Sequence, residues 1–170
     1  LRCVTGVQTC ALPICLFRFE QGVLASFAVD TLEVYMTTQL KGQETYFLPF
    51  NMGKGQGIDM GSGNPHNPDG FDTEYLWLDV MTKDSILQLI ESFIFFEIDK
   101  KDPKKKTLIF PRYHQRRAVS RLLEDMRSNH TESNYLIQHS AGSGKTNTIA
   151  WLAHSLVSLH DEENNNIVDT

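Results

Sequence analysis

The chain has 170 residues, 41% of them hydrophobic, and a formal net charge of -5 at pH 7. That composition can bury the core of an ordinary domain. The charge excludes a global cationic field, so any affinity for nucleic acid has to come from local patches, and no apolar run approaches the length that spans a bilayer.

All three cysteines, Cys3, Cys10 and Cys15, fall in the first fifteen residues. Within that segment V-T-G-V-Q-T-C-A-L-P-I looks like the in-frame translation of a sequencing-library adapter. Residues 1–15 are therefore set aside as non-native. The competing reading is a signal peptide, because Arg2 precedes an apolar patch; that patch is short, carries Pro13 and lacks a small-residue cleavage pattern. The cysteine-free remainder suits a reducing compartment, and a cytoplasmic location is expected. Both ends read as cut: Leu1 is not methionine, and Ile167-Val168-Asp169-Thr170 stands where an α/β repeat would begin its next strand.

Residues 23–29, 33–38 and 45–50 are rich in β-branched and aromatic side chains and are joined by short polar connections, which predicts an antiparallel meander. Residues 51–70 hold six of the eleven glycines and are expected to form a loop, more simply a mobile surface excursion than a functional one. Residues 75–80 read as a short strand or turn. Thr82 or Asp84 then offers an N-cap to a helix carrying Ile86, Leu87, Leu89, Ile90, Phe93 and Ile94, apolar enough to imply burial on more than one side. This apolar stretch, 86–98, reads as a partly buried helix.

Residues 99–106 contain five lysines, two aspartates and Pro103, and read as an exposed linker and domain boundary. The lysines could touch DNA phosphates, although a run of this size more simply is a solvated linker. A brief strand is expected at 108–110, with Pro111 at or before a helix start. That helix presents Val119, Leu122, Leu123 and Met126 on one face and leaves Arg116, Arg117 and Arg121 outside it.

Residues 135–153 read Y-L-I-Q-H-S-A-G-S-G-K-T-N-T-I-A-W-L-A. Leu136 and Ile137 lead in as a buried strand would, and Ile149, Leu152, Ala153 and Leu156 follow at helical spacing. Strand, glycine-rich loop and helix in that order make a phosphate-binding loop. Its backbone N–H groups converge on phosphate oxygens, Lys145 reaches the outer phosphates and Thr146 can hold Mg²⁺. The expected nucleotide-binding set is Ser140, Ala141, Gly142, Ser143, Gly144, Lys145 and Thr146, with a nucleoside triphosphate and Mg²⁺ as ligands. In the full G-x-x-x-x-G-K-[ST] pattern the first position falls on His139, not glycine. One helix upstream, Gln115 carries an amide whose paired donor and acceptor match the edge of adenine. The six histidines, His66, His114, His130, His139, His154 and His160, show no zinc-ligand spacing.

Several strings carry a family resemblance: F-A-V-D-T-L-E-V-Y-M-T-T at 27–38, F-L-P-F-N at 47–51, G-N-P-H-N-P-D-G at 63–70, L-I-F-P-R-Y-H-Q at 108–115 and N-Y-L-I-Q-H-S-A-G-S-G-K-T at 134–146. Together they resemble the motor subunit of type I restriction endonucleases, a group similar to superfamily 2 helicases. His66 stands where that resemblance would put proline. The resemblance implies a subunit that couples ATP hydrolysis to translocation of double-stranded DNA and works with modification (methyltransferase) and specificity subunits. It implies that Gln115 reads the adenine and that Gly142 to Thr146 hold the phosphates and Mg²⁺. Tyr113 either packs near the base or serves the helix start.

The implied fold is α/β: the tail of an α+β nuclease domain over 16–98, a linker over 99–107, and the start of a RecA-like domain with a parallel sheet over 108–170. No catalytic residue is expected inside the chain. The nuclease carboxylates and lysine would lie upstream of Leu16. The acids after Thr146, at Asp161, Glu162, Glu163 and Asp169, do not form the Asp-Glu pair of a second ATPase motif. Asp30 and Glu33 read as turn chemistry. Two other readings stand beside this one: a non-catalytic nucleotide-binding module of another superfamily 2 protein, and a partial frame with no function of its own.

Overall fold

The structure, a computed structural model, describes residues 22–55, 62–129 and 134–160. Residues 1–15 with their cysteines, His130, and Asp161, Glu162, Glu163 and Asp169 lie outside the described residues.

The expected meander is present. Strands β1 (Ser26–Val29), β2 (Val34–Thr37) and β3 (Leu48–Pro49) pair antiparallel in the order β1-β2-β3. Asp30 closes the first turn: its carboxylate accepts the N–H groups of Leu32 at 2.7 Å and Glu33 at 2.8 Å. Those two donors hold the Asp30 carboxyl below the usual carboxylate range. Asp30 is thus a turn residue, as its position implies. Val34 and Met36 alternate into the core, following the two-residue period of a strand.

The glycine-rich loop is pinned more firmly than its composition suggests. Asn64 is 1% exposed. Its amide donates to Leu32 O at 2.9 Å and Asn51 Oδ1 at 3.1 Å, and its oxygen accepts the Met52 N–H at 2.8 Å. Asn51 in turn accepts the Val34 N–H at 2.7 Å, so the G-N-P string ties the loop to β2. A buried amide with all these partners is structural chemistry. Residues 56–61 of the loop lie outside the described residues.

Residues expected as a strand or turn at 75–80 form a π-helical turn, Leu76–Val80, closed by Met81 N–H to Leu76 O at 2.8 Å. Helix α1 (Lys83–Gln88) follows, with Thr82 at its N-cap position, and continues into a second π turn, Leu89–Phe93. Helix does not extend through residue 98 as expected. The chain turns at Ile94 into β4 (Phe95–Ile98), which pairs antiparallel with β5 (Lys106–Ile109). Nor is the helix buried on several sides: Leu89 and Phe93 are buried, while Ile86, Leu87 and Ile90 are exposed. Each π turn adds a residue to the helical circuit and rotates the apolar series, leaving part of it outside the contact.

The charged segment expected as a linker is the turn of the β4–β5 hairpin. Asp99 and Asp102 accept the N–H groups of Lys101 at 2.8 Å and Lys104 at 3.1 Å, the Asx-turn bonding that aspartate favours. Pro111 precedes helix α2 (Tyr113–Asn129), whose buried face includes Val119, Leu122 and Leu123 as expected. Arg116 departs from expectation. It is 8% exposed and its guanidinium donates to Asp79 at 3.1 Å, because the π turn at 76–80 brings a carboxylate over the first turn of α2.

Helix α3 (Lys145–Val157) buries Thr148, Trp151 and Ser155, with Leu152 and Leu156 packed beside them. Ile149, expected in that face, is 67% exposed and Ala153 is exposed too. Trp151 sets this rotation: its ring packs against Phe93 at 5.6 Å and its Nε1 donates to Phe93 O at 2.8 Å. Residues 134–140 carry no regular structure, and Leu136 is 94% exposed rather than buried in a strand. A strand requires a neighbour for its backbone groups, and no described strand pairs with this one. Among the described residues every strand pairing is antiparallel.

One apolar cluster draws on both sides of the hairpin, from Val34, Met36 and Phe50 through Tyr75 and Phe93 to Tyr113, Val119 and Trp151. Aromatic rings meet edge to face within it: Phe27 on Phe50 at 5.3 Å, Phe50 on Tyr113 at 6.0 Å and Tyr75 on Tyr113 at 5.0 Å. Tyr113 therefore serves the helix start. Its hydroxyl donates to Asp79 at 3.2 Å, and burial pushes it above the usual phenol range.

Candidate nucleotide site

The loop at 139–146 is positioned from two directions. Its C-terminal end is the first turn of α3, and Gly144, at φ +82°, is the residue from which that helix starts. Gly142 also has a positive φ, +72°. Both values lie in the left-handed region, where a Cβ is strained, so the two glycines let the backbone reverse twice within three residues. At Gly144 a Cβ would also lie 2.5 Å from Gln115 Nε2, whereas at Gly142 it would meet nothing within 4 Å. Gly144 is thus required by close approach as well as by backbone angle.

The close approach comes from α2. Gln115 is 4% exposed; its Nε2 donates to Gly144 O at 2.9 Å and its Oε1 accepts the Arg112 N–H at 2.9 Å. The same amide thus caps an orphan donor at the start of α2 and grips the glycine loop. His114, the residue before it, places Nε2 3.4 Å from Ser143 O. The His139 ring stands edge to face against the His114 ring at 5.1 Å. Burial lowers both imidazoles below the usual range; the Lys145 charge adds to this at His139, and the charges of His139 and Arg112 do so at His114.

Lys145 folds back over the loop, its Nζ donating to His139 O at 3.1 Å and Ser140 O at 2.9 Å. Both acceptors are uncharged carbonyls, so an anionic oxygen in their place would make a stronger, charge-assisted bond. Ser140, Ala141, Gly142, Gly144, Lys145 and Thr146 are all exposed. Ser143 is buried, and its Oγ has no hydrogen-bond partner among the described residues. The structure therefore brings together every residue expected at the site from the sequence, with Gln115 directed at the loop.

Beside the loop lies a cavity of about 380 Å³. One wall is β5 and the start of α2, with Phe110, Arg112 and Gln115; another is Gly142, Ser143, Gly144 and Asn147. The third is the end of β2 and the β2–β3 connection, which contribute Thr37, Gln39, Lys41, Glu44 and Tyr46. Apart from Thr37, which lies near the end of the string at 27–38, these residues carry no motif that could have marked them. Only the fold of the meander against β5 brings them to the loop. Among the described residues no group of three or more His, Cys, Asp or Glu side chains could hold a metal ion, and no helix is long and apolar enough to cross a membrane.

Comparison with known proteins finds two similarities. Residues 108–168 match the family described as type III restriction enzyme, res subunit. Over an alignment of 103 residues the chain is 33% identical to a protein of Methanocaldococcus jannaschii named as a type I restriction enzyme (MjaVIIIP) endonuclease subunit. That alignment covers 53% of this chain and 10% of the relative's length, so the chain spans a small part of the protein it matches. No solved structure matches the chain significantly. Both similarities are to subunits of restriction enzymes.

Proposed function

We propose that the loop at 139–146 binds the phosphates of ATP with Mg²⁺, and that the chain is part of the ATP-dependent DNA translocase and endonuclease subunit of a type I restriction system. The observation that carries the nucleotide reading is the loop itself. Two positive-φ glycines, an exposed lysine held by neutral carbonyls and a helix N-terminus converge on one open face. A helix start with unpaired N–H groups favours an anion there. The residues fit Mg²⁺-ATP: Lys145 is free to exchange two carbonyls for phosphate oxygens, Thr146 offers its hydroxyl at the helix start, and Ser143 Oγ is a buried group in want of a partner. The cavity beside the loop suits the base and ribose in size and mixed polarity.

In this reading Gln115 serves the nucleotide first through the loop. Its amide already holds Arg112 N–H and Gly144 O, which leaves one N–H and one oxygen lone pair for a direct adenine contact. The bound nucleotide supplies the phosphoanhydride whose hydrolysis drives movement along duplex DNA. The wider assignment rests on the similarity to the M. jannaschii protein and on the motif strings described above. It places double-stranded DNA, a modification subunit and a specificity subunit among the partners, a RecA-like parallel sheet around the loop, and the protein in the cytoplasm.

The test is ATPase activity of the full-length protein assembled with its modification and specificity subunits. Unmodified duplex DNA should stimulate hydrolysis, and Lys145→Ala should abolish the stimulated rate. ATP turnover indifferent to DNA would favour the alternative, a nucleotide-binding module without a motor role.

A further inference from the structure

His114 and Gln115 are consecutive, and they reach consecutive carbonyls of the loop: Ser143 O at 3.4 Å and Gly144 O at 2.9 Å. In a trans peptide the C=O and N–H point in opposite directions. A donor that holds Ser143 O therefore aims the Gly144 N–H the other way, and a donor that holds Gly144 O does the same for the Lys145 N–H. Gly144 O is also held by the N–H groups of Asn147 at 3.1 Å and Thr148 at 3.2 Å, so its plane is secured by the helix as well. The Ser143–Gly144 plane lies one step earlier, flanked by Gly144 with its left-handed φ and one residue after Gly142, and no helix bond of Asn147 or Thr148 reaches its carbonyl.

We propose that His114 is a positioning residue of the phosphate loop: its Nε2–H holds the Ser143 carbonyl and so aims the Gly144 N–H at the bound phosphate. The inference rests on the nucleotide reading above. His139 braces the arrangement, since its ring packs at 85° against the His114 ring while its own carbonyl accepts Lys145 Nζ. One histidine pair thus touches the loop at its first residue and at the peptide before its last glycine. This gives a physical role to the histidine that replaces glycine at the first position of the loop: its side chain, which glycine lacks, locks the ring that holds the next carbonyl. Burial of His114 favours the neutral ring, and the Ser143 carbonyl, which can only accept, favours the tautomer protonated at Nε2.

The experiment is calorimetric titration of MgATP into the full chain, comparing the unaltered protein with Lys145→Ala, His114→Leu and His114→Gln. Glutamine carries an N–H donor about as far from the backbone as imidazole Nε2; leucine fills the space without one. His114→Leu should weaken MgATP binding about tenfold, the worth of one hydrogen bond near the upper end of the usual range, and His114→Gln should restore it to within about threefold. Equal affinity of His114→Leu and the unaltered protein would overturn the proposal, as would His114→Gln binding as weakly as His114→Leu. If His114→Leu does not fold, His114→Asn takes its place, one methylene too short to reach Ser143 O: weak binding by asparagine and near-normal binding by glutamine supports the role, and equality overturns it. Loss of binding with Lys145→Ala and none with His114→Leu would sink this inference alone. No MgATP binding by the unaltered protein would sink the nucleotide reading with it.

Discussion

Replacing Gln115 isolates the contact between α2 and the glycine loop. Leucine has nearly the same volume, so Gln115→Leu leaves little cavity but removes both 2.9 Å hydrogen bonds. Each such bond is worth about 0.5–1.5 kcal/mol net. The two losses differ in kind. Arg112 N–H loses its partner at a helix start, whereas Gly144 O keeps the Asn147 and Thr148 N–H groups. The expected cost is therefore about 2 kcal/mol, a fall in melting midpoint of about 4–8 °C for a chain of this length. Urea unfolding followed by circular dichroism measures it directly. Gln115→Glu sharpens the test, because it keeps the acceptor for Arg112 and sets a carboxyl oxygen against the Gly144 carbonyl. That carboxyl is expected to titrate above its unfolded value of about 4.3. With the folded value raised, its stabilising share is complete below about pH 4.3 and is lost as pH rises through the folded value, so the Glu variant should match the unaltered protein best in acid. An unchanged midpoint for Gln115→Leu would refute the view that this amide ties the helix to the loop.

Three further outcomes follow from the same geometry. Gly144→Ala meets both a left-handed φ and a Cβ 2.5 Å from Gln115, and should cost clearly more stability and MgATP affinity than Gly142→Ala, which meets strain in open space at about 1–2 kcal/mol; equal effects would contradict the packing of Gln115 on the loop. Trp151→Ala should cost about 3–5 kcal/mol in urea unfolding, because it removes a buried ring on Phe93 and Phe95 together with the Nε1 bond to Phe93 O, while Trp151→Phe should cost less. His114 and His139 have lowered folded values, and the cations around them are Arg112 and Lys145. Their contribution is complete above the unfolded imidazole value of about 6.5 and is lost as pH falls through the folded values, so stability should drop below about pH 6.5 and drop less steeply in His114→Gln.

The local chemistry of the chain was legible where one residue decides one turn. Asp30, the polar connection at 41–43, Pro111 and the glycines of the loop each mark a feature the structure contains. The face of α2 followed its period. What the linear pattern could not convey was which of several apolar residues meets a partner. Ile149 and Trp151 are both large and apolar, and only the Phe93 carbonyl, delivered by a π turn, selects Trp151 for burial. The same holds for Arg116, which a helical wheel puts outside and Asp79 draws in. Lysine-rich 99–106 read as a linker because its charge dominates its composition, yet two aspartates at the right spacing make it a turn. At the site, the loop residues were evident from their motif, whereas Lys41, Glu44 and Tyr46 reach the cavity through strand pairing alone.

The measurement closest to the central claim is the affinity of the chain for MgATP, by calorimetry, with and without Lys145. The account predicts saturable binding at one site per chain and loss of that binding in Lys145→Ala, with the fold of the variant intact by circular dichroism. Binding that survives in Lys145→Ala with unchanged affinity would contradict it.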